Sequence, residues 1–286
     1  MRRLMLHEWS KRASPERHAR SRCACILRNR LQSNHTRRHL MSMELSKNEL
    51  RKVRSLHQKK FRAETGLFIA EGLKTVEEAM RSGWNVEAVY STDDAFCAAH
   101  SGVKRVSPKE MEQLSAFQTP PGYLAVVQRR NLNAEKWPDQ VIALDGVRDP
   151  GNAGTILRTA DWFGFTHLIS SEDGVEWFNP KVVQSTMGSI FRMCTRECHL
   201  SDVLSELIAQ GYAVIGADMH GEAPQVFEWP AKWVLVMGSE SHGIREDVSG
   251  LITSHISIPG AGRADSLNVA VATGIILSSV FRVPGR

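Results

Sequence analysis

Hydrophobic positions along the chain follow two patterns that change near residue 140. In the first half, short apolar runs alternate with amphipathic stretches. Ser46-Lys47-Asn48-Glu49 reads as a capping box, in which the serine hydroxyl accepts from the N3 amide while Glu49 reaches back to the cap. Leu50, Val53 and Leu56 follow at helical spacing, so a helix is expected to run to about Lys60. Strands are expected at 67–70, 86–90, 103–106 and 123–128. Helices are expected at 73–81, ended by Gly83, and from a second capping box, Ser107-Pro108-Lys109-Glu110, to about Phe117. Thr119-Pro120-Pro121-Gly122 marks a turn. Residues 43–130 therefore read as a small α/β domain, and the polar stretch 131–139, containing Pro138, as a linker.

From residue 140 to 286 the pattern is steadier. Apolar strands are expected at 141–144, 167–170, 191–195, 213–217, 233–237 and 255–258, with helices at 155–163, 182–187 and 202–210. Continuous apolar strands alternating with helices imply a mostly parallel sheet covered on both faces. Ligands of such sheets gather at the C-terminal ends of the strands, which directs attention to three loops. The first, Asp145 to Gly154, is rich in glycine and reads as a tight turn into a helix whose first turn presents Arg158; free amides beside an arginine suit a phosphate. The second, Gly238-Ser239-Glu240-Ser241-His242-Gly243-Ile244, places a carboxylate just after a strand. The third runs from Ile258 through Ser266-Leu267-Asn268 into a helix that is apolar nearly all round and so is buried on more than one side.

Composition narrows the class. The 286 residues, 42% hydrophobic, suffice for a sizeable core, and no apolar stretch approaches the roughly 20 residues of a membrane helix. The net charge of +5 is uneven: residues 1–42 carry 11 Lys and Arg against Glu8 and Glu16, so the remainder is mildly acidic. That basic extension lacks hydrophobic periodicity and is set apart from the fold. A disordered tail, translation upstream of a start at Met41 or Met43, a phosphate-binding arm and an organelle transit peptide all stay open for it. Within the acidic remainder, the first helix gathers Lys47, Arg51, Lys52, Arg54, Lys59 and Lys60, with Arg62 just beyond, facing only Glu49. These seven cations are the expected RNA-phosphate contacts, with a solvated surface as the alternative. Five cysteines, odd in number, point to a reducing cytoplasm rather than a disulfide scaffold. Cys194, Cys198 and His199 lack metal-ligand spacing, and no metal is expected. Dinucleotide, P-loop and serine-hydrolase signatures are missing from the sequence.

Taken together, N-x-G-x-x-x-R-T-A (Asn152 to Ala160), G-x-E-x-x-G-I (Gly238 to Ile244) and S-L-N-V (Ser266 to Val269) resemble, in order and spacing, the SpoU/TrmH family of RNA ribose 2′-O-methyltransferases, of the SPOUT class. The first half is similar to that family's substrate-binding domain, so the resemblance covers about residues 43–286. It implies a C-terminal trefoil-knotted domain, a topology that ordinary connection rules exclude, S-adenosyl-L-methionine as cofactor, and a homodimer. It also implies that Gly238, Ile258 and Leu267 contact the cofactor, that Arg158 is the catalytic base, activated by a substrate phosphate, and that Asn152, Glu240, Ser266 and Asn268 organise the site. Because a guanidinium hardly deprotonates, positioning the phosphate and stabilising alkoxide charge is the preferred role for Arg158. RNA fits as partner because only RNA offers a 2′-hydroxyl, and ribosomal RNA is favoured over transfer RNA. One departure stands out: Gly260 follows Pro259 where the family commonly has Met, which is expected to loosen the cofactor contact or shift specificity. The rival reading is a non-catalytic RNA-binding or ribosome-assembly protein that keeps the fold.

Overall fold

The computed structural model describes residues 45–130 and 136–281. The expectations for residues 1–42 and for 131–135 of the linker lie outside the described residues.

Helix α1 (Lys47–Ser55) opens at Ser46, whose hydroxyl accepts the Glu49 N–H at 3.2 Å. The return bond expected of a capping box is not made, because the Glu49 carboxylate is taken by the Tyr90 hydroxyl at 2.7 Å and by the Lys104 ammonium. The helix also stops short of Lys60. Leu56, His57 and Gln58 donate to carbonyls three residues back, Leu56 is fully buried, and the His57 ring meets the Leu114 carbonyl at 2.8 Å. A second helix, α2 (Lys59–Thr65), then starts in a new direction and ends at Gly66 with φ +68°.

That change of direction corrects one expectation. Arg62 is 2% exposed and does not belong to the basic surface. Its Nε donates to Glu176 at 2.9 Å, its Nη2 to the other oxygen of that carboxylate, and its Nη1 to the Leu56 carbonyl at 2.7 Å. A guanidinium so enclosed has no free face for RNA.

Strands β1 (Leu67–Glu71), β2 (Val86–Ser91), β3 (Val103–Arg105) and β4 (Tyr123–Gln128) form a sheet of order β1-β4-β2-β3, in which only β2 and β3 run parallel. Helix α3 (Leu73–Arg81) follows β1. Helix α4 (Asp94–Ala99) was not expected; it is set by Asp93, which accepts from the amides of Ala95 and Phe96. Helix α5 (Pro108–Leu114) opens on a complete capping box between Ser107 and Glu110. It ends before Phe117 because the buried Glu71 carboxylate takes the Ser115 hydroxyl and the Ala116 N–H. Strand alternation sends Leu67, Ile69, Leu124 and Val126 toward α1 and α5, and Phe68, Ala70, Ala125 and Val127 into the core on the other side.

The second sheet is built from β5 (Gln140–Asp145), β6 (His167–Ser171), β7 (Cys194–Cys198), β8 (Ala213–Glu222), β9 (Trp233–Gly238) and β10 (Ser254–Ile256), all parallel, in the order β10-β8-β9-β5-β6-β7. Ile142, Leu144, Leu235 and Met237 pack against the side of α6 (Pro150–Trp162), α7 (Pro180–Ser185) and α10 (Val269–Val280). Val141, Ala143, Val234 and Val236 pack against α8 (Leu200–Ala209) and α9 (Glu246–Ser249). Burial on both faces is why these strands read as unbroken apolar runs. The strand expected at 191–195 lies three residues later, because Ser189–Phe191 form a 3₁₀ turn instead.

The two sheets share one core. Phe68 and Trp84 of the first half meet Phe178 and Phe191 of the second, with ring centroids 4.8 Å apart for Phe68–Phe178 and 5.5 Å for Trp84–Phe191. Arg192 bridges Glu78 of α3 and Asp161 of α6. With Arg62–Glu176, these contacts fix the small α/β half against the parallel sheet.

Candidate active site

The C-terminal ends of β5 and β9 lie side by side, with Asp145 paired to Gly238. Two of the three loops leave the sheet there. In the first, Gly146 takes a left-handed φ of +68° and Asp149 caps α6, accepting the Asn152 N–H at 2.7 Å with Pro150 at the first helical position. The helix therefore starts five residues earlier than expected. Arg158 stands in its third turn, not its first, so it is not beside free terminal amides. Gly154 is no loop glycine either: a Cβ there would lie 2.5 Å from the Ser185 Cβ and 2.8 Å from the Val182 carbonyl, so its role is the close crossing of α6 and α7.

In the second loop, Gly238 admits no side chain, since a Cβ would sit 2.4 Å from the Gly243 carbonyl carbon. Ser239 and Gly243 exchange two backbone hydrogen bonds at 3.0 Å, closing a turn with Glu240 exposed on it. Residues 259–268 of the third loop are exposed throughout and end at Asn268, whose Oδ1 caps α10 by accepting from Ala270 at 2.9 Å and Val271 at 3.3 Å.

These loops meet through side chains. With its oxygen committed to the cap, Asn268 turns Nδ2 to Asn152 Oδ1, at 2.9 Å, and Asn152 in turn donates Nδ2 to the Glu240 carboxylate. One polar chain, Asn268–Asn152–Glu240, thus joins residues 116 and 88 positions apart in sequence. Arg158 is exposed, and its side chain has no hydrogen bond or ion pair to any described residue; the same is true of the Ser266 side chain. Leu267 is 48% exposed, and Ile258 is half-buried against the core.

The basic surface of α1 and α2 is less bare than expected. Lys52 pairs with Glu87 at 2.8 Å, Lys59 with Glu197 at 4.0 Å and Lys60 with Glu64 at 3.9 Å. Lys47, Arg51 and Arg54 are exposed without an ion pair among the described residues.

Sequence reasoning missed the support beneath the loops. Asp145, fully buried, accepts from both the main-chain N–H and the Nε of Arg245, each at 2.7 Å. Asp173 pairs with Arg148 at 3.0 Å and with Arg245 at 3.3 Å. Its carboxyl is held below the ordinary range by a hydrogen bond from Ser171, against partial burial, with both guanidiniums adding to the effect. The available signal was a polar residue ending an apolar strand, Leu144-Asp145. Among the described residues no group of His, Cys, Asp or Glu is placed to hold a metal, and no helix is long and apolar enough to cross a membrane.

Known proteins share this fold. Residues 139–278 match the SpoU rRNA Methylase family, and residues 47–125 match an MRM3-like substrate binding domain. The 23S rRNA (guanosine(2553)-2′-O)-methyltransferase RlmP of Bacillus subtilis (strain 168) is 30% identical over 247 residues, covering 83% of this chain and 98% of its own. The chain belongs to the SpoU rRNA methylase family. A putative RNA methyltransferase of the TrmH family from Porphyromonas gingivalis superposes with a TM-score of 0.73 at 34% identity, over 82% of this chain and 97% of that one. An AdoMet-bound rRNA methyltransferase from Sinorhizobium meliloti gives 0.70 at 32% identity, over 80% and 92%. All three loops fall inside the segment matched to the SpoU methylases, and α1 through the first half of β4 falls inside the substrate-binding match.

Proposed function

We propose that this SpoU methylase transfers a methyl group from S-adenosyl-L-methionine to a ribose 2′-hydroxyl of ribosomal RNA. The observation that carries the reading is the chain Asn268–Asn152–Glu240, which draws three strand-end loops into one site, while Arg158, further along the helix that carries Asn152, is exposed and has no side-chain partner among the described residues. The loops fit the cofactor. Gly238 brings backbone against backbone without a side chain between, while Ile258 and Leu267 offer apolar surface beside exposed main chain. The relatives support the same cofactor and RNA class, as does the substrate-binding match over α1 to β4.

When bound, the cofactor supplies a methyl group on a sulfonium, open to in-line attack. The protein's task is to align a hydroxyl oxygen with that methyl and to stabilise charge as its proton leaves. A guanidinium scarcely deprotonates in proteins, so Arg158 is assigned to holding a backbone phosphate and stabilising negative charge developing on the oxygen. Asn152, Glu240, Ser266 and Asn268 set the position of the ribose and of the loops. Lys47, Arg51 and Arg54 extend the contact to more distant phosphates, with Lys52, Lys59 and Lys60 partly neutralised beside them.

We assign a homodimer to the same reading, supported by apolar surface around α10: Trp162 is 82%, Val271 52% and Phe281 40% exposed, and the Phe163 and Phe281 rings lie 5.5 Å apart, tilted against each other. The trefoil knot, the division into domains at residues 43–130 and 140–286, and a cytoplasmic setting belong to the proposal too. The test is transfer of labelled methyl from S-adenosyl-L-methionine to purified ribosomal and transfer RNA. Label in ribosomal RNA alone supports the full reading, label in transfer RNA corrects the substrate, and cofactor binding without transfer to either favours an RNA-binding protein.

A further inference from the structure

We infer that Asp145 and Arg245 are positioning residues that set Glu240 against Asn152; this deepens the proposed function and rests on that reading. The turn carrying Glu240 is gripped at both ends by one residue. At its start, Gly238 pairs with Asp145 across the β5–β9 ladder. At its end, Arg245 gives its main-chain N–H to Asp145 Oδ2 and its Nε to Oδ1, both at 2.7 Å. Asp145 is fully buried, so its charge is out of water and directed wholly at this partner. It also begins the loop that leads through Asp149 to Asn152.

The geometry admits little slack between these points. Ser239 and Gly243 are joined by two backbone bonds, and Gly238 lies too close to Gly243 and Ile244 for even a methyl group. Displacing Arg245 therefore displaces the whole turn, and Glu240 with it. A second attachment steadies the same point: the Arg245 guanidinium also reaches Asp173, in the loop after β6, which Arg148 holds from the other side. The loops after β5, β6 and β9 are thereby tied below the site, while Asn152, Glu240 and Asn268 tie the loops after β5, β9 and β10 within it. Only the planar fork of arginine can span two carboxylates in this way; a lysine would keep the charge and lose the bridge.

The test uses the full chain, with Arg245→Lys as the principal variant and Asp145→Asn combined with Arg245→Gln as the second. The second removes both charges together, which avoids stranding one of them in the interior. Arg245→Lys is expected to leave the melting temperature close to wild type and to lower methyl transfer by roughly tenfold to a hundredfold, as a misplaced catalytic loop does. The loss is expected in kcat more than in the KM for RNA, whose phosphates bind elsewhere. Adding Glu240→Gln should cost much less in either variant than in wild type, since the turn is already displaced. Amide exchange at Ser239 and Gly243 should quicken in both variants. Wild-type rates in both variants, or a Glu240→Gln loss that multiplies undiminished, would overturn the inference. A wild-type protein that neither binds S-adenosyl-L-methionine nor methylates RNA would instead overturn the functional reading, and amide exchange would still report whether Arg245 holds the turn.

Discussion

The side-chain amide of Asn268 donates to the side-chain carbonyl of Asn152 at 2.9 Å, and the direction of that bond is fixed by the helix that Asn268 caps. An Asn has one oxygen and one nitrogen to offer, and α10 claims the oxygen. Cap and site are therefore separable by mutation. Asn268→Asp keeps an acceptor for the amides of Ala270 and Val271 but turns a carboxylate oxygen toward the Asn152 carbonyl. Methyl transfer should fall steeply with little change in melting temperature. Asn268→Ala should lose activity and in addition about 1 kcal/mol of stability, the usual cost of a missing cap. Paired thermal melts and transfer assays check both.

Arg62 and Glu176 form a buried ion pair between α2 and the segment before α7. Breaking such a pair strands a charge, whereas replacing both partners with apolar groups does not. Arg62→Met is expected to destabilise the protein by about 3–5 kcal/mol in urea unfolding, and Glu176→Met added to it should restore most of the loss. RNA affinity of the double variant should retain the wild-type salt dependence, because neither group faces RNA.

Lys47, Arg51 and Arg54 are the exposed cations of α1 without an ion pair among the described residues. Replacing them with Gln should weaken RNA binding with little regard to sequence. The slope of log affinity against log salt should fall by about one for each phosphate no longer neutralised. Salt titrations of wild type and triple variant give the comparison, and identical slopes would place the RNA elsewhere.

Burial pushes the Glu71 carboxyl up from its ordinary value, against hydrogen bonds from Ser115 and Ala116. The folded protein therefore keeps a proton on Glu71 at a pH where the unfolded chain, titrating near 4.5, has released it. Between those two values the folded state binds more protons, so this group's contribution to stability falls as pH rises. In Glu71→Gln that component is gone. Urea midpoints from about pH 4 to pH 7 should show a weaker decline for the variant than for wild type.

Much of this was legible in the sequence because period and punctuation agreed. The parallel strands read as unbroken apolar runs since both faces are covered, and the box at Ser107 formed as written. Two of the departures share a cause: a polar residue that reads as belonging to solvent or to its nearest neighbour has a stronger claim from a distant partner. Glu49 leaves its cap for Tyr90 and Lys104, and Arg62 turns inward to Glu176, while the burial of Asp145 against Arg245 has no local sign beyond its place at the end of an apolar strand. Helix α6 began early because Asp149 and Pro150 together outweighed the glycines that followed. The meeting of Asn152, Glu240 and Asn268 came from recognising three motifs in order; no local rule brings together positions so far apart in sequence.

Arg158, exposed on α6, is proposed to serve the ribose 2′-hydroxyl of the site that Asn268, Asn152 and Glu240 draw together. The most direct measurement is alkaline hydrolysis of ribosomal RNA methylated in vitro by wild type and by Arg158→Ala. Arg158 has no partner among the described residues, so the variant should fold and melt as wild type does. The expected result is one alkali-resistant linkage carrying the label after wild-type treatment, reduced by at least about a hundredfold with the variant. Label that is lost at alkali-sensitive linkages, or an Arg158→Ala protein that methylates at the wild-type rate, would contradict it.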